Sequence, residues 1–271
     1  MIFSAAFKVY STVSSRRFIS DLADAHAKNY ISKVPHFNSI FNYLESTEIT
    51  PILRELIARS SLPLKAIEID FAVDSSGFST CQYVRWFNAK YGKEVDNHDW
   101  IKVHLMTGVR TNVVTSVEVT SRHANDSPQL PALVHSTATN FTVREVSADK
   151  GYSSIENHNA IAEVGATPYI LFKSNATGSS GGLFEKMFHY YSFNRDAFLA
   201  SYHKRSNIES TFSMIKAKFG SRIRSKGATA QINEALCKVL AHNLCCVIQS
   251  MFEFNVVPTF CAGSSLAQIP L

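Results

Sequence analysis

The residues best placed to do chemistry lie in the run Tyr202-His203-Lys204-Arg205-Ser206-Asn207-Ile208-Glu209-Ser210-Thr211-Phe212-Ser213-Met214-Ile215-Lys216. On a helix turning about 100° per residue from Tyr202, Arg205 falls at about 300°, Lys216 at about 320° and Glu209 at about 340°. Ile208, Phe212, Ile215 and Phe219 fall beside that stripe, at about 220–280°. One edge of the helix is therefore expected to be buried. The adjoining edge presents a carboxylate framed by two cations and a phenol. At a phosphodiester, flanking cations would pin the phosphate while the carboxylate carries a divalent metal ion. An ordinary surface stripe of helical charge pairs has the same spacing, so the pattern alone leaves both readings open.

Two further acids stand at expected strand ends. Asp149, in Ala148-Asp149-Lys150-Gly151-Tyr152, precedes a glycine turn and a capped helix. Asp74, in Val73-Asp74-Ser75-Ser76-Gly77, closes an alternating segment. Strand ends are where α/β folds gather active-site groups, although a turn aspartate binding backbone amides looks alike. Asp70 rivals Asp74, because period-two alternation puts both on one face. Asp126 is a further candidate, but its place suits a helix cap.

The elements that must position these residues begin with a helical stretch over residues 1–64. Apolar spacing there marks Phe18, Leu22 and Ala25, then Leu53, Leu56 and Ile57, with Thr50-Pro51 as cap and first turn. From Ile67 the period becomes two, and a strand is expected to Asp74. Ile101–Val109 and Asn112–Thr120 read as two more strands joined by a hairpin at Gly108–Asn112. A helix should start at Asp126 and run to Ala138, then a strand over Val143–Ala148. Ser153 and Glu156 read as a capping box for a helix that Gly165 ends, and Pro168–Lys173 as the fifth strand. A Gly/Ser-rich loop at Ser174–Gly182 precedes helices over Asp196–Phe219 and Thr229–Phe254. Three antiparallel strands followed by α/β units make an RNase H-like mixed sheet. The expected division is a helical region 1–64, a domain 65–255 and a tail 256–271.

Composition narrows the class. The chain has 271 residues, 45% of them hydrophobic, enough for a sizeable core. No membrane span is expected, because polar residues interrupt every apolar run. Cys81, Cys237, Cys245, Cys246 and Cys261 are odd in number and lack zinc-ribbon spacing, which points to a reducing cytoplasm. Between Tyr202 and Lys226 lie seven cations and one acid, net +6, against +5 for the whole chain, so the rest sums to −1. Charge concentrated in this way suits either a nucleic-acid footprint or a solvated helix face.

The spacing Tyr202, Arg205, Glu209, Lys216 is similar to the YREK signature of DDE transposases from bacterial insertion sequences. Asp149-Lys150-Gly151-Tyr152 resembles that family's second-aspartate motif, and Val73-Asp74-Ser75-Ser76 its first. The likeness covers about residues 65–250. It implies that Asp74, Asp149 and Glu209 are catalytic and bind two Mg²⁺ ions, with Mn²⁺ as a substitute. One ion would activate water or a DNA 3′-hydroxyl, and the other would stabilise the leaving oxygen. It further implies that Tyr202, Arg205 and Lys216 hold phosphates of double-stranded DNA, at transposon ends and target. A homodimer in the synaptic complex and a cytoplasmic, nucleoid-associated location follow from the same likeness. Lys150, Arg222, Arg224 and Lys226 join the DNA contacts on charge and proximity in sequence.

Two departures from the family shape the expectations. Some relatives carry a large β-rich insertion before the catalytic helix, whereas here the interval is short, Gly/Ser-rich and then helical, so no such domain is expected. Relatives commonly have more chain upstream, so residues 1–64 read as part of a DNA-binding region. The function expected is metal-dependent DNA cleavage and strand transfer at element ends. The alternatives are a catalytically silent, truncated transposase that only binds DNA, and an RNase H-like nuclease without strand transfer.

Overall fold

The computed structural model describes residues 1–80 and 99–258. Cys81, Cys261 and the expected tail from residue 259 onward lie outside the described residues. Residues 1–64 form helices α1 (Ile2–Ser11), α2 (Phe18–Ala27), α3 (Phe37–Glu45) and α4 (Ile49–Ser61). The expected apolar stripes are the buried ones, Phe18, Leu22 and Ala25 on α2 and Leu53 and Ile57 on α4, except that Leu56 is only partly buried. The start of α4 departs from expectation. Thr50 lies inside the helix and donates its hydroxyl to Asn233 Oδ1 at 2.7 Å, so a tertiary partner replaces the local cap.

Strands β1 (Asp70–Ser79), β2 (Trp100–Gly108), β3 (Val114–Ser121), β4 (Glu145–Ala148) and β5 (Thr167–Ile170) form one sheet in the order β3-β2-β1-β4-β5. β1, β2 and β3 pair antiparallel, and β4 and β5 extend the sheet in parallel from β1. This is the RNase H-like α/β arrangement that the element order implies. The β2–β3 turn falls where expected, with Asn112 at φ 60°. The Glu68 carboxylate fills that turn, accepting the amides of Arg110 and Thr111, and a side chain at Gly108 would run into it.

β1 starts later and runs further than the alternation suggests. Ile67 and Glu68 close a turn on the Leu64 carbonyl, and the strand continues because every residue to Ser79 finds a partner on β2. Asp74 is consequently mid-strand and not at a strand end. Phe71, Ala72 and Val73 are all buried because helices cover both faces of the sheet.

On one face, α5 (Leu130–Ala138) and α6 (Ile155–Glu163) pack with Phe71, Val73, Met106 and Val146. Ser154, not Ser153, caps α6, accepting the Asn157 amide at 3.1 Å, and Gly165 at φ 80° follows its end. On the other face lie α9 (Ser206–Phe219) and α10 (Ala228–Glu253), after α7 (Gly182–Phe193) and α8 (Arg195–Tyr202). Ile208, Phe212 and Ile215 of α9 share one core with Ala72, Phe78 and Leu105, with Leu236 and Leu240 of α10, and with Ala5, Leu53 and Ile57. The helical and mixed parts of the chain are thus bound by a single core. By length and composition α10 could cross a membrane, but 67% of its most apolar window is buried inside the protein. No strand lies between β5 and α9, in line with the missing insertion.

Candidate active site

The site begins where β4 ends. β1 and β4 run parallel, and their last pair is Val73 opposite Ala148. The next residues, Asp74 and Asp149, therefore leave that pair side by side, on strands spaced about 4.8 Å apart. Asp149 keeps an extended backbone, φ −68° and ψ 161°, before the chain turns into a short 3-10 segment at Lys150–Tyr152.

The helix expected over Asp196–Phe219 is two helices, α8 and α9, joined by a 3-10 turn at His203–Arg205. Lys204 ties that turn to the sheet, donating to Asp70 Oδ2 at 2.8 Å and Glu145 Oε2 at 2.6 Å. The framed stripe survives the break. Arg205 donates to Asp74 Oδ2 at 3.0 Å and to Glu209 Oε1 at 2.9 Å, and its guanidinium lies 5.9 Å from the Tyr202 ring centre. Lys216 donates to Ser76 Oγ at 2.6 Å, two residues along β1 from Asp74. Arg205 and Lys216 thus face β1, while Tyr202 is buried with Met187 and Phe198.

Charge is concentrated here. Burial above all pushes the Asp74 carboxyl above the ordinary carboxylate range. The Ser75 amide and Arg205 pull it down, while the charges of Asp149 and Glu209 push it further up. Burial works against the charge of Arg205, but Tyr202 and then all three acids hold its proton more tightly. Lys216 is shifted down by burial alone.

The rivals are engaged elsewhere. Asp70 is held by Arg144 through two hydrogen bonds, at 2.8 and 2.6 Å, and by Lys204. Although partial burial opposes it, those two partners hold its carboxyl below the usual range. Asp126 does not cap with its side chain. It accepts from Lys102 at 2.8 Å and lies 3.8 Å from His104 Nδ1.

The remaining expected DNA contacts are spread out. Lys150 is exposed directly after Asp149, and Arg222 is exposed where its backbone bridges Ser79 at the far end of β1. Arg224 and Lys226 line a cleft of about 450 Å³ between α1, α3 and the start of α10, where Arg224 donates to the Thr12 carbonyl. The +6 window is therefore not one patch, since Lys204 and Arg205 are engaged by acids. Nothing in the spacing of Lys204 and Arg144 in the sequence separates them from other surface cations. Tyr152 stands in the sequence only as the last residue of the Asp149–Tyr152 motif. Its hydroxyl is buried beside the Ser75 side chain, in the field of Asp74, Asp126 and Asp149.

Among the described residues no three His, Cys, Asp or Glu side chains are arranged to hold a metal ion as they stand. Arg205 bridges two of the three acids. The donor set itself suits a hard divalent cation, being carboxylate oxygens with negative charge in excess of the single bridging arginine.

The family model of the transposase DDE domain matches residues 66–244, a span that contains all three acids and the whole sheet. The chain belongs to the transposase DDE domain family, and membership implies DNA as its partner. Comparison with curated proteins finds no match.

Proposed function

We propose that the chain cuts DNA at the ends of a mobile element and joins those ends to target DNA, using Asp74, Asp149 and Glu209 as ligands for divalent cations. The observation that supports this reading is the pairing of Asp74 on β1 and Glu209 on α9 with one arginine, Arg205, with Asp149 at the end of β4 acting on it through its charge. Mg²⁺ is the expected ion, with Mn²⁺ able to replace it. Bound there, the ions supply an activated hydroxyl and a stabilised leaving oxygen for in-line displacement at phosphorus.

The protein's own residues position the strand. Arg205 offers a planar fork that suits a phosphate, Lys216 adds a point charge further along β1, and Tyr202 walls the site. Lys150 is placed to meet the backbone beside Asp149, and Arg222, Arg224 and Lys226 to meet duplex further away. The working form is a homodimer on paired element ends, in the cytoplasm at the nucleoid and apart from membranes. Residues 1–64 contribute to DNA binding in this reading.

The test is cleavage of duplex DNA carrying the element's terminal repeats, with and without Mg²⁺. Glu209→Gln should abolish nicking, and undiminished nicking would refute the triad. Arg205→Ala and Lys216→Ala should weaken DNA binding and flatten its dependence on salt. A second reading, a chain that binds DNA without cutting it, draws on the bridge that engages Asp74 and Glu209. Binding without nicking by the wild type would select it.

A further inference from the structure

Arg205 stands where the acids would share a cation. Its two terminal nitrogens are divided between Asp74 and Glu209, and its side chain is 20% exposed. The other oxygen of Asp74 accepts the Ser75 amide at 2.8 Å. With Asp74 engaged through both oxygens and Glu209 turned to the same guanidinium through one, the bonded oxygens are directed at the arginine and not at a shared ion. This explains why the acids meet in one electrostatic field and yet form no ready metal site.

The neighbouring residue shows that the arrangement can open locally. Lys204 fixes the 3-10 turn to Asp70 and Glu145, independently of Arg205. Arg205 can therefore leave its two partners by side-chain rotation while the turn stays in place. Glu209, whose side chain is 61% exposed, is free to follow.

We infer that Arg205 is an internal counter-ion that occupies the acid site in the cation-free protein and is displaced when a divalent cation enters. The inference rests on the metal-binding reading above. Displacement frees the guanidinium fork beside the site, and a DNA phosphate is the partner that matches it. Cation and DNA therefore assist each other, because each gives one side of the broken bridge a new partner. Linkage requires the assistance to be reciprocal. Arg205 is in this respect a positioning residue whose effect appears in cation affinity before any bond is cut.

The test is titration of the full chain with Mn²⁺, followed by the paramagnetic resonance of the free ion, with and without a DNA duplex. Wild type, Arg205→Ala and the polar but uncharged Arg205→Gln are compared, with thermal melting as the check on folding. Without DNA, both variants should bind Mn²⁺ about tenfold more tightly than wild type, an effect of about 1.4 kcal/mol. DNA should tighten Mn²⁺ binding to wild type and lose that effect in both variants. Equal or weaker Mn²⁺ binding by folded variants would overturn the counter-ion assignment while leaving the metal site standing. Absence of saturable Mn²⁺ binding to wild type, with and without DNA, would instead overturn the metal-binding reading itself.

Discussion

Two clusters of charge lie on one face of β1, four residues apart, and they are built from the same residue types. At Asp70 the acids are Asp70 and Glu145 and the cations Arg144 and Lys204, so charges balance within direct contact. At Asp74 a single direct cation, Arg205, pairs with Asp74 and Glu209, and Asp149 adds a third negative charge nearby. The first cluster clamps β1, β4 and the 3-10 turn together. The second keeps a surplus of negative charge that matches a divalent ion. Acids of equal prominence in a sequence are thus distinguished by whether their charge is already answered.

The sharpest way to break this contrast is to neutralise one acid in each cluster. Asp74→Asn should reduce Mg²⁺-dependent nicking on the order of a thousandfold, about 4 kcal/mol in the barrier. It should leave the melting temperature equal or higher, since it relieves repulsion among the acids. Asp70→Asn should do the reverse, lowering the melting temperature with cleavage largely kept. Lys204→Ala should cost about 1–2 kcal/mol in urea unfolding, less than a buried pair would, because solvent reaches the site. An Asp74→Asn variant that melts early would show that the two clusters do the same job.

The opposite face of the sheet sharpens the comparison through pH. Burial pushes His104 down to about 4 from 6.5, the first of its causes, with Asp126 opposing and Lys102 assisting. The unfolded chain therefore binds the extra proton between those values, so stability should rise with pH through that window and be complete above about 6.5. The slope for this one group approaches roughly 1.4 kcal/mol per pH unit. His104→Gln should flatten that part of the curve, measured by urea unfolding at a series of pH values. An unchanged slope would refute the assignment to His104. The smallest effect is expected at Tyr152. Its buried hydroxyl has at most the Ser75 side chain to bond, so Tyr152→Phe should cost no more than about 1 kcal/mol in unfolding.

The sequence carried the order of the five strands, the hairpin at Gly108–Asn112 and the face of α9, because each rests on local periodicity or turn chemistry. It did not carry the features decided by distant partners. Thr50 looks like a cap until Asn233 is brought to it, and Asp126 looks like one until Lys102 is. β1 runs past Asp74 because β2 pairs with Ser75–Ser79, whose Ser-Ser-Gly composition reads locally as a turn. The break between α8 and α9 has no local breaker residue and is held by Lys204 reaching the sheet. For the acids, local motif reading placed Asp149 beside a turn and Glu209 on a framed helix face. Only the registers of β1 with β4 separated Asp74, next to Asp149, from Asp70, next to Arg144.

The 3-10 turn at His203–Arg205 has one further consequence. Since Lys204 keeps the backbone in place, exchanging the partners of Arg205 requires rotamer changes and no domain closure. Side-chain rotamer changes are fast, picoseconds to nanoseconds where exposed and slower for a paired, largely covered arginine, whereas hinge motions take microseconds to milliseconds. The response of this site to its ligands should then be paced by their arrival, and relaxation measurements should find no slow backbone exchange at the turn as they bind.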